Sequence, residues 1–399
     1  MKVILILFVL FSCGYCKIEF SDRARNFSVE LLYYTAEEIN WHTVISPFGI
    51  WSLITGISLG ATGTSREQLM TTLILPKKKE NLVNGYQSLT TAVLNSNTGA
   101  VELKNRNYLF SDSDFFIKKD FINELRNNFK TIPTKLNFKP PQSAAKIANE
   151  VIKKYGMAVS NVLKPDDFEN SRMILTNVIT FKGFWQTPFN ETLTNVEPFY
   201  NENGLQTGEV NMMHLEGSFS YSTFEEIEST ILELPYGNEE SSKYTFVVLL
   251  PYKGVPVSTV YKKLSIVNLK DIILKLQNDT DMYGTIEVII SLPRFKISTN
   301  VVLNRPLNKM GLSDIFDPSA ASFGKITDSN NIFVSSIVHK ADIEVTEKGT
   351  IASASTSSYF SDRMMPANFN ANRPFIYFIM EKTTNTIIFS GVYSKPSIF

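Results

Sequence analysis

The feature that most constrains the fold is a half-buried strand pattern that leads directly into a stretch of small residues. Across residues 340–345, charged and apolar side chains alternate strictly, and His339 shares the face of Ala341, Ile343 and Val345. This is the period of a strand with one face buried and the other in water. Residues 350–358 are then almost all small, and by composition they form an exposed loop.

The same stretch of small residues also suits a strand. One face of that strand would carry Thr350, Ala352, Ala354, Thr356 and Ser358. Side chains of this size can enter between neighbouring strands without overpacking. A segment that fits both a loop and a strand is a candidate conformational switch, although a plain flexible linker has the same composition.

Elsewhere, helical patterns dominate the first part of the chain and extended patterns the last. Apolar residues recur at helical spacing in residues 27–39, 48–59 and 121–129. Strands rich in Val, Ile and Phe are predicted at residues 246–250, 285–292 and 333–345, and a buried hairpin at 375–392. Because no linker, repeat or low-complexity tract divides residues 17–399, the sequence predicts one α+β domain.

The first sixteen residues predict a secretory signal peptide. Lys2 precedes an apolar run over residues 3–11, and Gly14 and Cys16 are small residues suited to a cleavage site. The run is too short to span a bilayer. We therefore expect a secreted, extracellular glycoprotein without a membrane anchor. Three Asn-x-Ser/Thr sequons suit that compartment, at Asn26, Asn190 and Asn278.

Composition argues against several classes of site. Both cysteines, Cys13 and Cys16, lie inside the predicted signal, so the mature chain would have no disulfide and no thiolate ligand. The three histidines, at 42, 214 and 339, lack metal-ligand spacing. With 39 basic and 39 acidic residues, charge gives no basis for nucleic-acid binding. We expect no cofactor, metal or nucleic-acid partner.

One short motif suggests a hydrolase instead. Residues 56–60 match the Gly-x-Ser-x-Gly pattern of a nucleophile elbow, with Ser58 as the nucleophile. That elbow needs a strand before the serine and a helix after it. Ser58 follows a helical pattern, so we expect no catalytic residue there.

Several separated motifs resemble those of the serpin family, in the family's order and over essentially the whole predicted mature chain. They are Val44-Ile45-Ser46-Pro47-Phe48, Ser58-Leu59-Gly60-Ala61, Thr176-Asn177-Val178, Phe181-Lys182-Gly183-Phe184-Trp185, Val338-His339-Lys340-Ala341, Glu347-Lys348-Gly349-Thr350, Phe369-Asn370-Ala371-Asn372-Arg373-Pro374-Phe375 and Phe389-Ser390-Gly391. The resemblance implies the serpin fold, in which helices surround a large, mostly antiparallel main sheet. It also implies an exposed reactive loop that can insert as an extra strand, with hinge and loop at about 347–372.

In that family a protease cuts the loop and becomes attached to it as an acyl-enzyme. The loop then inserts into the main sheet and distorts the protease. The resemblance sets the cleaved bond at Arg363–Met364, sixteen positions after the acidic residue that begins the hinge, Glu347. A guanidinium suits a protease specificity pocket that has a carboxylate at its base. The implied partner is a trypsin-like serine protease in a covalent 1:1 complex; Tyr359 and Phe360 are chymotrypsin-like alternatives.

The resemblance assigns three groups of residues around the main sheet. The hinge comprises Glu347, Gly349, Thr350, Ala352 and Ala354. The shutter group, a polar cluster beneath the sheet where it opens, comprises Ser46, Asn177 and His339. The breach group, at the top of the sheet where insertion starts, comprises Trp185, Arg294 and Glu347. Three positions depart from the family pattern: Gly49 replaces a second shutter serine, and Ile351 and Ser353 replace a frequent Glu and Ala of the hinge.

Other functions share these motifs. A serpin fold used as a carrier or chaperone would form no covalent complex, and cysteine proteases also use acyl-enzymes.

Residues 82–94, which match the family's helix D, lack Lys and Arg, which argues against heparin activation through that helix. Residues 232–236 are similar to arthropod members, which implies a monomeric inhibitor of clotting, melanisation or innate immunity proteases.

Overall fold

The structure is a computed structural model. It describes residues 2–95, 100–155, 161–169, 171–238, 242–329, 332–350 and 365–399, with side chains from residue 20 onward except that of Thr350. Several predicted sites lie outside the described residues: Ala352, Ala354, Tyr359, Phe360 and the Arg363–Met364 bond.

Most of the α-helices in these ranges lie in the first part of the chain. They are α1 (Lys2–Glu38), α2 (Pro47–Ser58), α3 (Gly63–Thr72), α4 (Lys79–Leu94), α5 (Lys119–Phe129), α6 (Pro141–Lys154), α7 (Val257–Leu264), α8 (Leu269–Tyr283) and α9 (Asn304–Lys309). The start of α2 has a local cause: the Ser46 hydroxyl caps the helix and Pro47 occupies its first turn. The three predicted helices correspond to α1, α2 and α5.

The β-strands of the described residues lie mostly in the second half of the chain. They are β1 (Thr43–Ile45), β2 (Val101–Asp112), β3 (Ile132–Leu136), β4 (Met173–Phe184), β5 (Asn195–Tyr200), β6 (Gln206–Phe224), β7 (Ser229–Pro235), β8 (Tyr244–Pro251), β9 (Ile286–Pro293), β10 (Phe295–Val302), β11 (Ser336–Val345), β12 (Gly349–Thr350), β13 (Ala367–Asn370), β14 (Phe375–Glu381) and β15 (Thr386–Tyr393). The predicted hairpin is β14–β15. The strand predicted from residue 333 begins only at Ser336. The Val334 N–H instead donates to the carbonyl of Ile315, and the Ser335 carbonyl accepts from the Asn304 side chain.

The main sheet has the strand order β10-β11-β4-β2-β3, with β12 also beside β4. Strand β4 pairs antiparallel with β2 along nearly its whole length. Its parallel pairing with β11 covers only residues 174–178, opposite residues 336–340, although both strands continue further. Beyond that point, β12 pairs antiparallel with the end of β4. The sheet is therefore mixed, and β4 and β11 pair at one end only.

The second sheet has the order β1-β15-β14-β8-β7-β6-β9-β13, and β5 also pairs with β6. Strand β6 is 19 residues long; its first part pairs with β5 and β9 and its last part with β7. Strands β8, β14 and β15 are buried along their full length. These three strands form the apolar centre of this sheet.

Both faces of the main sheet are covered. Leu175, Ile179 and Phe181 on one face of β4 belong to the large core. Ile174 and Val178 on the other face belong to a smaller core that includes residues of α6. A strand that entered beside β4 would therefore have one face in the large core. Within the described ranges, no helix is long and apolar enough to cross a membrane.

Candidate functional site

The hinge begins with a tight turn that reverses the chain at the end of β11. Thr346 and Gly349 exchange backbone hydrogen bonds of 3.0 and 3.1 Å. After the turn, Gly349 lies opposite Phe184 and Thr350 lies opposite Gly183 in an antiparallel ladder. The first two residues of β12 therefore form a strand beside β4.

Glycine is required at position 349 by the geometry of this turn. Its φ is +120°, which side-chain-bearing residues rarely adopt. A Cβ there would overlap the carbonyl oxygen of Gly183 and lie 2.7 Å from the backbone nitrogen of Trp185. Because both obstacles are backbone atoms, they cannot rotate away. The close approach of β12 to β4 thus depends on Gly349.

Trp185, at the end of β4, anchors the same turn. Its indole N–H donates to the carbonyl of Thr346 at 2.8 Å, and its backbone N–H donates to the carbonyl of Lys348 at 3.1 Å. The indole stacks on Tyr236, with ring centroids 4.5 Å apart and planes 15° apart. This stack fixes the indole in the orientation that holds the turn.

The carboxylate of Glu347 is held by two groups beside this tryptophan. It is only 5% exposed, and it accepts a hydrogen bond of 2.8 Å from the Thr194 hydroxyl. Arg294 lies 3.4 Å away and forms an ion pair with it. The predicted breach group of Trp185, Arg294 and Glu347 is thus assembled in the structure, with the hinge turn fixed at its centre.

The shutter residues lie beneath the main sheet and connect it to α2. Ser46 donates its backbone N–H to Nε2 of His339 at 2.9 Å and its hydroxyl to the carbonyl of Ile388 at 2.7 Å. Asn177 lies opposite His339 in the β4–β11 ladder. The structure therefore brings Ser46, Asn177 and His339 together, at the end of the sheet where β4 and β11 still pair.

His339 is neutral because it is completely buried. Desolvation lowers its pKa from 6.5 to about 3. Because Nε2 accepts a hydrogen bond from the Ser46 N–H, it must be the unprotonated nitrogen. Nδ1, which then carries the proton, has no hydrogen-bond partner among the described residues. His339 thus acts as a hydrogen-bond acceptor that joins β11 to the start of α2.

Lowering the pH from 7.5 to 5 is expected to destabilise the native protein through His339. Its pKa of about 3 lies below the unfolded value of 6.5, so the unfolded chain gains a proton that the native chain does not. This stability is present above pH 6.5 and is lost as the pH falls toward 3. The loss is about 2 kcal/mol at pH 5. Urea unfolding should show that the His339→Gln variant loses about 2 kcal/mol less than the wild type between these pH values. The same pH dependence in both proteins would contradict this account.

Asn177 explains why residue 49 is glycine here, although the family usually has serine at this position. A Cβ on Gly49 would overlap the side-chain amide of Asn177. That amide donates to the side-chain oxygens of Asn105 and Asn107 at 2.7 and 2.8 Å. Asn177 therefore fills the space that a second serine would need.

Gly49→Ser is accordingly expected to destabilise the protein, although serine is the more usual residue in the family. Overpacking of this kind typically costs about 1–3 kcal/mol. The same substitution in an Asn177→Ala background should cost clearly less, because the overlapping amide is gone. Urea unfolding of the four proteins in this cycle measures the difference. Equal costs in the two backgrounds would show that Asn177 is not the obstacle.

Asn105, Asn107 and Thr194 belong to these groups but were not predicted. The two asparagines lie on the buried face of β2. In this stretch, buried residues alternate with more exposed ones. Two amides at a spacing of two within an otherwise apolar face are a signal that could have identified them. Thr194 follows a short 3-10 helix and carries no such signal.

The hydrolase motif has no catalytic geometry. Ser58 is fully buried at the end of α2, and its hydroxyl donates to the carbonyl of Thr55 at 2.7 Å. It follows a helix rather than the strand that a nucleophile elbow requires. Throughout the described ranges, no group of three or more His, Cys, Asp or Glu residues could hold a metal ion.

The asparagines of the three predicted glycosylation sites are all exposed. Asn190 accepts hydrogen bonds from both the backbone N–H and the hydroxyl of Thr192. Asn26 and Asn278 instead lie within helices α1 and α8, and Ser28 of the first sequon is buried. Glycosylation at these positions stays a prediction.

The central strands β4 and β11 of the main sheet thus pair at one end only, and β12 lies beside the unpaired end of β4. The chain belongs to the serpin family: the model of that family, described as serine protease inhibitor, matches residues 22–396. Human leukocyte elastase inhibitor is 32% identical over 361 residues, which cover 88% of this chain and 92% of that protein. The predicted fold is confirmed, and the family is one of protease inhibitors rather than enzymes.

Two solved structures share the fold over almost their full length. Native protease nexin-1 with heparin has a TM-score of 0.80 and 26% identity, and covers 95% of this chain and 100% of its own. Human thyroxine-binding globulin complexed with thyroxine has a TM-score of 0.82 and 24% identity, and covers 96% of this chain and 100% of its own. At that identity the second likeness concerns the fold alone.

Proposed function

We propose that the protein is a secreted suicide inhibitor of trypsin-like serine proteases that is cleaved after Arg363. The observation that carries the proposal is the pairing of Gly349 and Thr350 with β4. This pairing lies at the end of the main sheet where β4 and β11 no longer pair. The hinge has therefore begun an additional strand at the position where a cut loop would continue it.

The register of β12 supports insertion of the following residues. Extending it along β4 would set Ala352 opposite Phe181 and Ala354 opposite Ile179, and residues opposite each other share one face of a sheet. Phe181 and Ile179 face the large core. Small residues at 352 and 354 would enter that face without overpacking. The intervening residues would point to the opposite face.

Insertion has an identifiable barrier as well as a driving force. The inserted strand would gain backbone hydrogen bonds to β4 and β11, which makes the uncut form a metastable state. To enter, it must part the five-residue pairing of β4 with β11 and the 2.9 Å hydrogen bond from the Thr176 hydroxyl to the carbonyl of Val338. Inhibition is then a race between this opening and hydrolysis of the acyl-enzyme.

The preference for trypsin-like proteases rests on Arg363. Its guanidinium would pair with a carboxylate at the base of the protease's specificity pocket, a strong charge-assisted interaction. The wider surface of the protease also decides specificity. Arginine-specific proteases of clotting, melanisation or innate immunity cascades are the class of partner that we infer, bound 1:1 by a monomeric inhibitor.

Secretion makes a separate prediction about the N-terminus. The apolar run at residues 3–11 supports cleavage after Cys16. N-terminal sequencing of protein secreted from eukaryotic cells should begin at Lys17, and enzymatic removal of N-glycans should lower its mass. Retention of the protein inside the cells with Met1 and the apolar run intact would contradict secretion without affecting the inhibitory proposal.

Heparin activation through α4 is not part of the proposal. Lys79 is the basic residue of this helix, and it is paired with Glu124. The protease nexin-1 structure contains heparin, but α4 of this chain offers no row of cations for a polyanion. We infer that inhibition needs no polyanion bound to this helix.

A non-inhibitory carrier or chaperone is the second candidate, since thyroxine-binding globulin has the same fold. The small residues of the hinge favour inhibition over this alternative. Titration of trypsin with the protein, followed by assay of residual activity, distinguishes them: an inhibitor should abolish activity near equimolar ratio, and a carrier should leave it intact. Loss of cysteine protease activity instead would favour cross-class inhibition, which uses the same acyl-enzyme chemistry.

A further inference from the structure

A cleft of about 580 Å³ lies between α1 and the corner that joins α7 to α8, and its lining includes none of the hinge, breach or shutter residues. Its volume falls in the usual range for small-molecule sites, about 300–1,000 Å³. The floor is apolar: Val29, Leu264 and Leu269 are all at least 90% buried. The cleft is thus large enough for a small organic molecule, and it offers both apolar and polar surface.

One wall of the cleft is aromatic. Tyr33, Tyr34 and Tyr261 all line it, and the rings of Tyr33 and Tyr34 pack edge to face with centroids 5.2 Å apart. Tyr34 already receives the Lys309 ammonium, 5.8 Å from its ring centroid. Tyrosine faces attract cations as well as apolar groups. Because Lys309 already occupies Tyr34, Tyr33 is the ring that suits a ligand joining an apolar skeleton to a positive charge.

A carboxylate faces the same space. Glu30 lines the cleft and forms no ion pair with any residue in the described part of the chain. Partial burial raises its pKa, because desolvation disfavours the charged form. A bound ammonium group would reverse that disadvantage by donating a strong charge-assisted hydrogen bond to the Glu30 carboxylate.

We propose that this cleft binds small aromatic amines, with the ammonium group on Glu30 and the ring against the tyrosine wall. Lys262 also lies at the rim. Both Glu30 and Lys262 are exposed, but the long side chain of Lys262 can extend away from the cleft into water. The proposal therefore predicts that Lys262 opposes binding. A ligand with a carboxylate would show the reverse dependence.

Trp41 provides a direct reporter of binding. Its ring lies 5.8 Å from that of Tyr33 and 5.7 Å from that of Tyr261. The other two tryptophans, Trp51 and Trp185, are buried at other places in the fold. Asn26, a predicted glycosylation site, is at the rim, so the experiments use full-length mature protein that carries no glycan.

The test is isothermal titration calorimetry at pH 7.4 with three probes of one skeleton: phenethylamine, phenethyl alcohol and 3-phenylpropionate. Phenethylamine should bind and change the Trp41 fluorescence. The affinity for the alcohol should be lower by about tenfold or more, as expected for loss of a hydrogen bond between charged groups. Absence of phenethylamine binding at millimolar concentration, or equal binding of the amine and the alcohol, would overturn the proposal.

Variants locate the site and test its charge. Glu30→Gln should weaken phenethylamine binding about tenfold, whereas Glu67→Gln, a matched exposed change on α3, should leave it unchanged. Lys262→Met should strengthen it. An unaltered affinity in Glu30→Gln, or weaker binding in Lys262→Met, would contradict the assignment. All three variants should still inhibit trypsin, so this result is independent of the proposed inhibitory function.

Discussion

Replacing Arg363 with glutamate is expected to lower the rate of trypsin inhibition by about three orders of magnitude or more. The arginine would be exchanged for a like charge facing the carboxylate of the specificity pocket. Such a juxtaposition costs several kcal/mol, and each 1.4 kcal/mol is about a tenfold effect. The measurement is the second-order rate constant for loss of trypsin activity. Unchanged potency would show that the protease attacks another bond.

Two further variants separate the effect of the charge at position 363 from an effect on the integrity of the loop. Arg363→Lys should retain inhibition of trypsin, since the positive charge remains. Arg363→Phe should lose it and gain inhibition of chymotrypsin, whose pocket is apolar. If Arg363→Phe left the specificity of inhibition unchanged, Tyr359 and Phe360 would become the candidates for the cleaved position.

Thr350→Arg is expected to convert the inhibitor into a substrate that trypsin cleaves and releases. Thr350 lies opposite Gly183, and the inward side of Gly183 is closely packed against Tyr236 and Phe181. An arginine on that face would bury an unpaired charge, so insertion should slow while hydrolysis continues. The ratio of inhibitor consumed to protease inactivated should rise severalfold.

Ile351→Arg is the matched control for this experiment. In the extended register residue 351 falls opposite Lys182, which is exposed, so the new side chain could remain in water. We expect nearly normal inhibition from this variant. If both arginine substitutions left inhibition intact, the insertion mechanism would be contradicted; if both abolished it, the alternation of faces would be wrong.

Much of the fold could be predicted from local patterns. The alternation from His339 to Val345 correctly assigns these side chains of β11 to a buried face and a partly exposed face. The boundaries of α2 and α5 follow from helical spacing in the same way. Pairing partners could not be predicted, because the parallel contact of β4 with β11 joins segments more than 150 residues apart.

The candidate site could be predicted only in part, and from the family resemblance rather than from local patterns. The resemblance identified Ser46, Asn177 and His339, but it gave no contact between them. The consequence of Gly49 could not be predicted either, since it depends on where the Asn177 amide points. Likewise, the pairing of β12 with β4 depends on the positive φ of Gly349, which sequence permits but does not require.

The most direct test of the inhibitory mechanism is to mix the protein with trypsin, separate the products on a denaturing gel, and identify the cut by mass spectrometry. The account predicts a complex that survives denaturation, together with a released C-terminal fragment that begins at Met364. Clean cleavage without a stable complex would contradict it and favour a non-inhibitory member of the family or a protease of another class.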